Sequence, residues 1–242
     1  MLEPGCLKLI TMKKTFIFFL SGLLGLAALD SCNKDDNNNP PTSSFGLVNA
    51  CPDAAALDMY VNSSLIASNF TYGSDTGYYL LTPGTYPVQI ATAGSSTFLV
   101  TENVTMSPGI AYSIFAIDSV SSLKATVVQD SYTTPAADSV RVRFFNFSPN
   151  APAMDLAITG GAVLFPARSF NDQEENASNQ QFITLAAGTY NLEARLAGTA
   201  SVSLTAPGYQ MEGGKVYTIY LKGFVAGTGT QSLGLGTVVH NE

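Results

Sequence analysis

Histidine and tryptophan are almost missing from this chain: 242 residues hold one His and no Trp. Nucleophilic sites of the Ser-His-Asp or Cys-His kind need an imidazole poised as base. The single His240 stands third from the C-terminus, where chains commonly fray, so it is not read as one. Histidine-based metal sites fail on the same ground. The lack of tryptophan weakens the case for a sugar-stacking platform. Basic residues are also few, 11 Lys+Arg against 18 Asp+Glu for a net charge of −7. That excludes nucleic-acid partners, whose binding needs clustered cations to release counterions. The three cysteines, Cys6, Cys32 and Cys51, show neither a disulfide framework nor zinc-type spacing. No glycine-rich phosphate loop occurs. Nothing in the sequence calls for a metal or a cofactor, and the body must stand on apolar packing, for which 46% hydrophobic residues, 14 Phe and 11 Tyr are ample.

What is present begins at the front. Lys13-Lys14, the apolar run Phe16–Leu29 and Ser31-Cys32 follow the order of a secretory signal. The apolar run is shorter than the ~20 residues that a spanning helix needs. Leu29-Asp30-Ser31-Cys32 resembles the lipobox of bacterial lipoproteins, with Asp30 its unusual member. The resemblance implies cleavage before Cys32 and a diacylglycerol on its thiol, which makes the membrane the first expected partner. Met12-Lys13-Lys14 reads as the true start, leaving Met1–Thr11 and Cys6 outside the translated protein.

Residues 32–44 form the expected lipidated tether. Asn33–Ser44 has no apolar residue and two prolines, a composition unable to bury surface. Lys34-Asp35-Asp36 resembles the acidic signal that takes some Gram-negative lipoproteins to the outer face of the outer membrane. A plainly solvated linker explains it equally well.

The body is written twice. Asn49-Ala50-Cys51-Pro52-Asp53-Ala54 with Leu57-Asp58-Met59-Tyr60-Val61 is matched by Asn146-Phe147-Ser148-Pro149-Asn150-Ala151 with Met154-Asp155-Leu156-Ala157-Ile158. Leu81-Thr82-Pro83-Gly84-Thr85-Tyr86 is matched by Leu185-Ala186-Ala187-Gly188-Thr189-Tyr190, and Met106–Tyr112 by Met211–Tyr217. The spacing between copies widens along the chain, so the second carries insertions, chiefly between Leu164 and Gln181. Both copies read as β: Leu57, Met59 and Val61 alternate with Asp58 and Tyr60, and Thr85–Ala91, Ser96–Val104, Ala111–Ile117 and Lys124–Val128 follow between turn residues. Pro83-Gly84 suits the centre of a type II turn. The expected fold is all-β: two tandem antiparallel β-sandwich domains of immunoglobulin-like size, over 45–130 and 139–242, joined by a linker at 131–138 and preceded by the signal (1–31) and tether (32–44).

Asn49–Ala54, Leu57–Val61, the Pro-Gly-Thr-Tyr turn and the Gly-x-x-Tyr strand start resemble the domain-of-unknown-function 4397 family, across Phe45–Val239. The resemblance implies a β-sandwich in a secreted or surface protein and carries no catalytic residues. Cys51, Ala55 and Asn150 depart from its pattern.

Carboxylates remain as candidates. Asp53, Asp58 and Asp155 lie in the repeat signature, and Asp172, Glu174 and Glu175 in the second-copy insertion. Paired acids could hydrolyse glycans or bind calcium. For Asp58 and Asp155 the favoured reading is structural, a side chain accepting amides of the preceding loop. Asp172–Asn176 reads as a solvated loop. Tyr86, Tyr190, Tyr112 and Tyr217, repeated at strand starts, resemble corner residues whose OH ties back to the backbone. Cys51 is read as a buried small hydrophobe. Ser119 and Ser139 sit in Asp-Ser-Val triplets that resemble bacterial O-glycosylation sites. The expected function is a non-catalytic envelope lipoprotein at the outer membrane, contacting glycan or another envelope protein. The alternative is a sugar-binding accessory lipoprotein or a carboxylate-dependent glycan hydrolase.

Overall fold

The computed structural model describes residues 41–241, all within one compact unit. The signal, Met12, Cys32 and the tether up to residue 40 lie outside the described residues. The first half contains β1 (Ser43–Asn49), β2 (Leu57–Val61), β3 (Ser64–Phe70), β4 (Asp75–Leu81), β5 (Gly84–Thr92), β6 (Phe98–Met106), β7 (Ala111–Ile117) and β8 (Lys124–Gln129). The second repeats them as β9 (Ser139–Asn146), β10 (Met154–Ile158), β11 (Val163–Arg168), β12 (Ile183–Ala186), β13 (Gly188–Leu196), β14 (Val202–Met211), β15 (Val216–Lys222) and β16 (Gly234–Val239). A single helical turn, α1 (Asp172–Glu175), and a 3-10 turn at Ala177–Gln180 stand between β11 and β12.

Strand order is the same in both halves. Sheets β4-β1-β7-β8 and β3-β2-β5-β6 correspond to β12-β9-β15-β16 and β11-β10-β13-β14. The chain is therefore all-β with two sandwiches. Pairing is antiparallel except for β1 with β7 and β9 with β15, which are parallel in equivalent registers, Phe45 opposite Tyr112 and Val142 opposite Tyr217. Side-chain alternation is blind to strand direction, so the sequence could not show this. The first strand also begins at Ser43, two residues inside the expected tether, because Ser43 and Ser44 pair with Leu81 and Leu80.

Within each half, the inward residues of the facing sheets make one core. Phe45, Leu47, Leu57, Met59, Ile90 and Ile114 belong to the first; Val142, Phe144, Leu156, Leu192 and Ile219 belong to the second. A third cluster joins the halves. Val48, Phe115, Ile117 and Val128 pack from the outer face of the first half's β1-containing sheet, and Phe145, Phe147, Tyr220 and Val238 from the second half. The Phe115 ring centroid lies 4.9 Å from Phe147, 5.8 Å from Tyr220 and 6.3 Å from Phe145. Such pairs add about 0.5–1.5 kcal/mol each beyond burial. The four sheets thus stack as four layers. The two inner sheets are covered on both faces, which is why β7 (AYSIFAI) and β15 (VYTIYLK) are apolar in near-continuous runs.

Paired tyrosines lock the turns. Tyr86 donates to Thr82 O and Tyr190 to Ala186 O, each at 2.7 Å. The Tyr112 and Tyr217 oxygens accept the amides of Ser107 (3.0 Å) and Glu212 (2.8 Å). Gly84 is not left-handed, so the type II turn does not form. A Cβ there would stand 3.2 Å from the Tyr86 hydroxyl as it returns to Thr82, a close approach that glycine relieves.

Candidate functional site

The repeat-signature carboxylates are structural. Asp58 Oδ1 accepts the Asn69 amide and Oδ2 the Gly94 amide, both at 2.8 Å. Asp155 accepts from Ala167 (2.7 Å) and Gly198 (3.0 Å) in the same way. Both side chains belong to buried residues. All four donors sit at positive φ, between 49° and 77°. Each aspartate thus clamps a left-handed residue in the edge strand β3 or β11 and the glycine of the β5–β6 or β13–β14 turn. The expected amide bonding is present, but the partners come later in the chain instead of from the preceding loop. A strand Asp reaches across its sheet to both neighbours, which local turn reasoning does not consider.

Asp53 Oδ1 accepts the Val120 amide at 2.8 Å, and the matching Asn150 brackets Val225 N (2.8 Å) and O (3.2 Å). These residues fasten the loop after β7 or β15. Cys51 is fully buried, and burial pushes its thiol up to about 12. Ser119 and Ser139 are half-buried, and the Ser139 hydroxyl donates to Ala136 O at 3.2 Å.

Asp172–Asn176, expected as a solvated loop, is so in part: Glu174, Glu175 and Asn176 are exposed, but the segment forms a helical turn with Gln173 buried. Asp172 accepts the Ser169 amide at 3.0 Å and lies 3.8 Å from Arg168, while burial raises its carboxyl above the ordinary range. Glu174 accepts from Asn171, and Asn171 in turn accepts the Thr126 hydroxyl of β8 at 2.9 Å. Glu175 is exposed. The insertion is a strut between the halves, and Asp172, Glu174 and Glu175 do not converge with Asp53, Asp58 or Asp155 on one site. Among the described residues, no three His, Cys, Asp or Glu side chains gather into a set that could hold a metal ion.

His240 does not fray. Its backbone amide bonds Val216 O at 2.9 Å, its carbonyl accepts Tyr132 Oη at 2.9 Å, and its side chain is fully enclosed. It belongs to a closed ring of hydrogen bonds. Arg143 Nη2 bonds Asp130, with both side chains fully buried, and Asp130 Oδ2 accepts from Tyr78 (2.6 Å) and Ser113 (2.8 Å). Tyr78 Oη also meets His240 Nδ1 at 2.6 Å, Thr218 Oγ1 meets His240 Nε2 at 2.6 Å, and Arg143 Nε donates to Thr218 at 2.7 Å. A carboxylate only accepts, so Tyr78 donates to Asp130, and His240 must donate its Nδ1 proton to Tyr78. Nε2 then accepts from Thr218, whose oxygen accepts from Arg143. The ring holds a neutral imidazole, consistent with burial lowering His240 to about 4. Residue 130, expected at the edge of a linker, is a centre of the interface.

A groove runs beside this ring. One lobe of about 420 Å³ is bounded by Val127 and Gln129 of β8, Ser131, and Ala177, Gln180, Gln181 and Phe182 of the second half. A second, of about 310 Å³, shares Val127 and Gln129 and extends to Glu102, Asn103 and Thr105 of β6 and to Glu174. Arg143 braces its floor, donating to Gln129 O at 2.9 Å and stacking 4.5 Å from the Phe182 ring centre. Sequence reading missed the groove because its residues come from distant segments and none is chemically unusual.

A comparison with family models concerns residues 43–157. They match the model of the family described as Domain of unknown function (DUF4397). The match supports the resemblance drawn from Asn49–Val61, and it runs through the first half into β10. A comparison with the curated proteins gives no match. Among solved structures the chain is similar to one described as "Alpha-glucan binding by a streptococcal virulence factor", at 10% identity over 74% of this chain and 92% of that one, with a TM-score of 0.24. It is also similar to CBMbc (family CBM26) from Eubacterium rectale Amy13K in complex with maltoheptaose, at 8% identity over 83% and 97%, with a TM-score of 0.24. Likenesses of this size carry no argument about a ligand.

Proposed function

We propose that this chain is a non-catalytic binding module of the bacterial cell envelope, two copies of the DUF4397 domain fused back to back and anchored through lipid on Cys32. The observation that carries the non-catalytic reading is the disposition of the acids. Asp58 and Asp155 each have both oxygens taken up by backbone amides, Asp53 holds Val120, and Glu174 is held by Asn171. A glycan hydrolase needs two acids opposed across a cleft at roughly 5–10 Å, free to exchange protons with the substrate. Glu102 and Glu174, which both line the second lobe of the groove, are the one pair there that would have to serve, and they are therefore the residues whose substitution tests the reading. A double sandwich behind a polar, proline-containing segment suits presentation of a binding face away from the membrane. The anchor is supported by Leu29-Asp30-Ser31-Cys32 and by the polar stretch behind it.

Two assays test the reading. Radiolabelled palmitate should enter the wild-type protein and be lost from Cys32→Ala, which should leave the membrane fraction; normal processing and fractionation of that variant would refute the anchor. Turnover of any polysaccharide, abolished by Glu102→Gln or Glu174→Gln, would refute the non-catalytic reading.

A further inference from the structure

We infer that the groove along β8 is a binding site for a neutral, polyhydroxylated chain, an oligosaccharide of uncharged sugars. The inference rests on the reading of the chain as a binding module and names the ligand class of its groove. The two lobes share Val127 and Gln129, so they lie side by side along β8. The polar lining of the first lobe is mostly side-chain amides, those of Gln129, Gln180 and Gln181, and Asn103 adds another in the second. Gln129, Gln181 and Asn103 are exposed at the groove wall, where their amides are open to a ligand. An amide offers a donor pair and an acceptor from one planar group, which matches the adjacent hydroxyls of a sugar ring.

Charge sets the class. No Lys, Arg or His lines either lobe, and Glu102 and Glu174 stand in the second. Phosphates, uronic acids and acidic peptides would meet repulsion without a compensating cation. Phe182 gives the first lobe an aromatic surface for the apolar face of a sugar ring. Its ring is fixed by the Arg143 guanidinium at 4.5 Å, by His240 at 5.9 Å edge-on and by Tyr132 at 6.0 Å, so little ordering remains for binding to supply. An extended peptide added to the free edge of β8 is the competing occupant. Thr126, midway along β8, is tied to Asn171, so the insertion stands beside this strand, and a peptide binding more tightly than the saccharides would reveal this occupant instead.

The test is calorimetric titration of the full chain with neutral hexasaccharides (β-linked glucose, α-linked glucose, β-linked xylose and β-linked mannose), with hexagalacturonate, hexalysine and an uncharged Ser/Gly hexapeptide alongside. At least one neutral hexasaccharide should bind, at least tenfold tighter than hexagalacturonate and either peptide. Gln129→Ala and Gln181→Ala should each weaken it at least fivefold with the melting temperature unchanged. Gln210→Ala, exposed on β14, should leave it unaltered. Failure of every neutral sugar, tighter binding of a peptide, or saccharide binding indifferent to Gln129 and Gln181 overturns the inference. If no sugar binds while Cys32→Ala still leaves the membrane, the ligand class falls and the anchored module stands. If sugar binding depends on Gln129 but Cys32→Ala fractionates normally, the groove stands and the anchor falls.

Discussion

Acid should loosen the seam between the halves through His240. In the folded chain, burial lowers its pKa to about 4 from an ordinary 6.5, with Asp130 raising it less than burial lowers it. The unfolded chain therefore takes up a proton as pH falls through 6.5, whereas the folded chain resists until about 4. Stability contributed by the neutral ring is complete above pH 6.5, declines across the interval and is lost by pH 4. Roughly 2.5 pKa units at 1.36 kcal/mol each give a loss of about 3 kcal/mol. Structurally, a proton on Nε2 would face Thr218 Oγ1, which already accepts from Arg143. Denaturant melts of wild type and His240→Gln at intervals from pH 7 to pH 4 isolate the effect, since other titrating groups are common to both. The stability difference between the two proteins should shrink by about 3 kcal/mol over that range. Parallel curves would show that His240 titrates normally, and the closed ring would be wrong.

Asp58→Ala and Asp155→Ala each strand two amides at left-handed positions, and should cost about 2–4 kcal/mol and lower Tm by roughly 5–15 °C; a change under 2 °C by calorimetry would contradict the clamp. Asp130→Ala leaves the Arg143 charge buried without its partner and should cost about 3–5 kcal/mol, whereas Asp130→Ala with Arg143→Met should cost less than that single change; additivity in the cycle of Asp130→Ala and Arg143→Met would contradict the pairing. Cys51 should resist a thiol-specific disulfide reagent at pH 8 in the native protein and react at once in denaturant, because its thiol is held up near 12; stoichiometric native labelling would contradict its burial.

The sequence made the sandwich legible through features with a local cause. Alternation at Leu57-Met59-Val61, the tyrosines at strand starts and the doubled signature around Pro52 and Pro149 all reappear as structure. The seam was less legible, though its trace is present: Ala111–Ile117 and Val216–Leu221 are apolar without alternation, the mark of strands covered on both faces. Arg143, in the run Val140–Phe145, looks like an exposed alternate of a half-buried strand and is instead enclosed, because its partners Asp130 and Thr218 come from separate segments. His240 is fastened for a similar reason. Position in the chain suggested a loose end, while Tyr132 and Val216 fasten it from two other segments. Groove residues such as Gln129 and Gln181 carry no sequence signal at all, since an unpartnered glutamine is recognised only by what surrounds it.

The central structural claim is that the two sandwiches form one body across Phe115, Phe147 and Tyr220, with the groove built on their junction. Differential scanning calorimetry of the full chain tests it directly. One transition should appear, with calorimetric and van't Hoff enthalpies equal, and Phe147→Ala should lower or split it. Two independent transitions in the wild-type protein, the first of them indifferent to Phe147, would contradict the account.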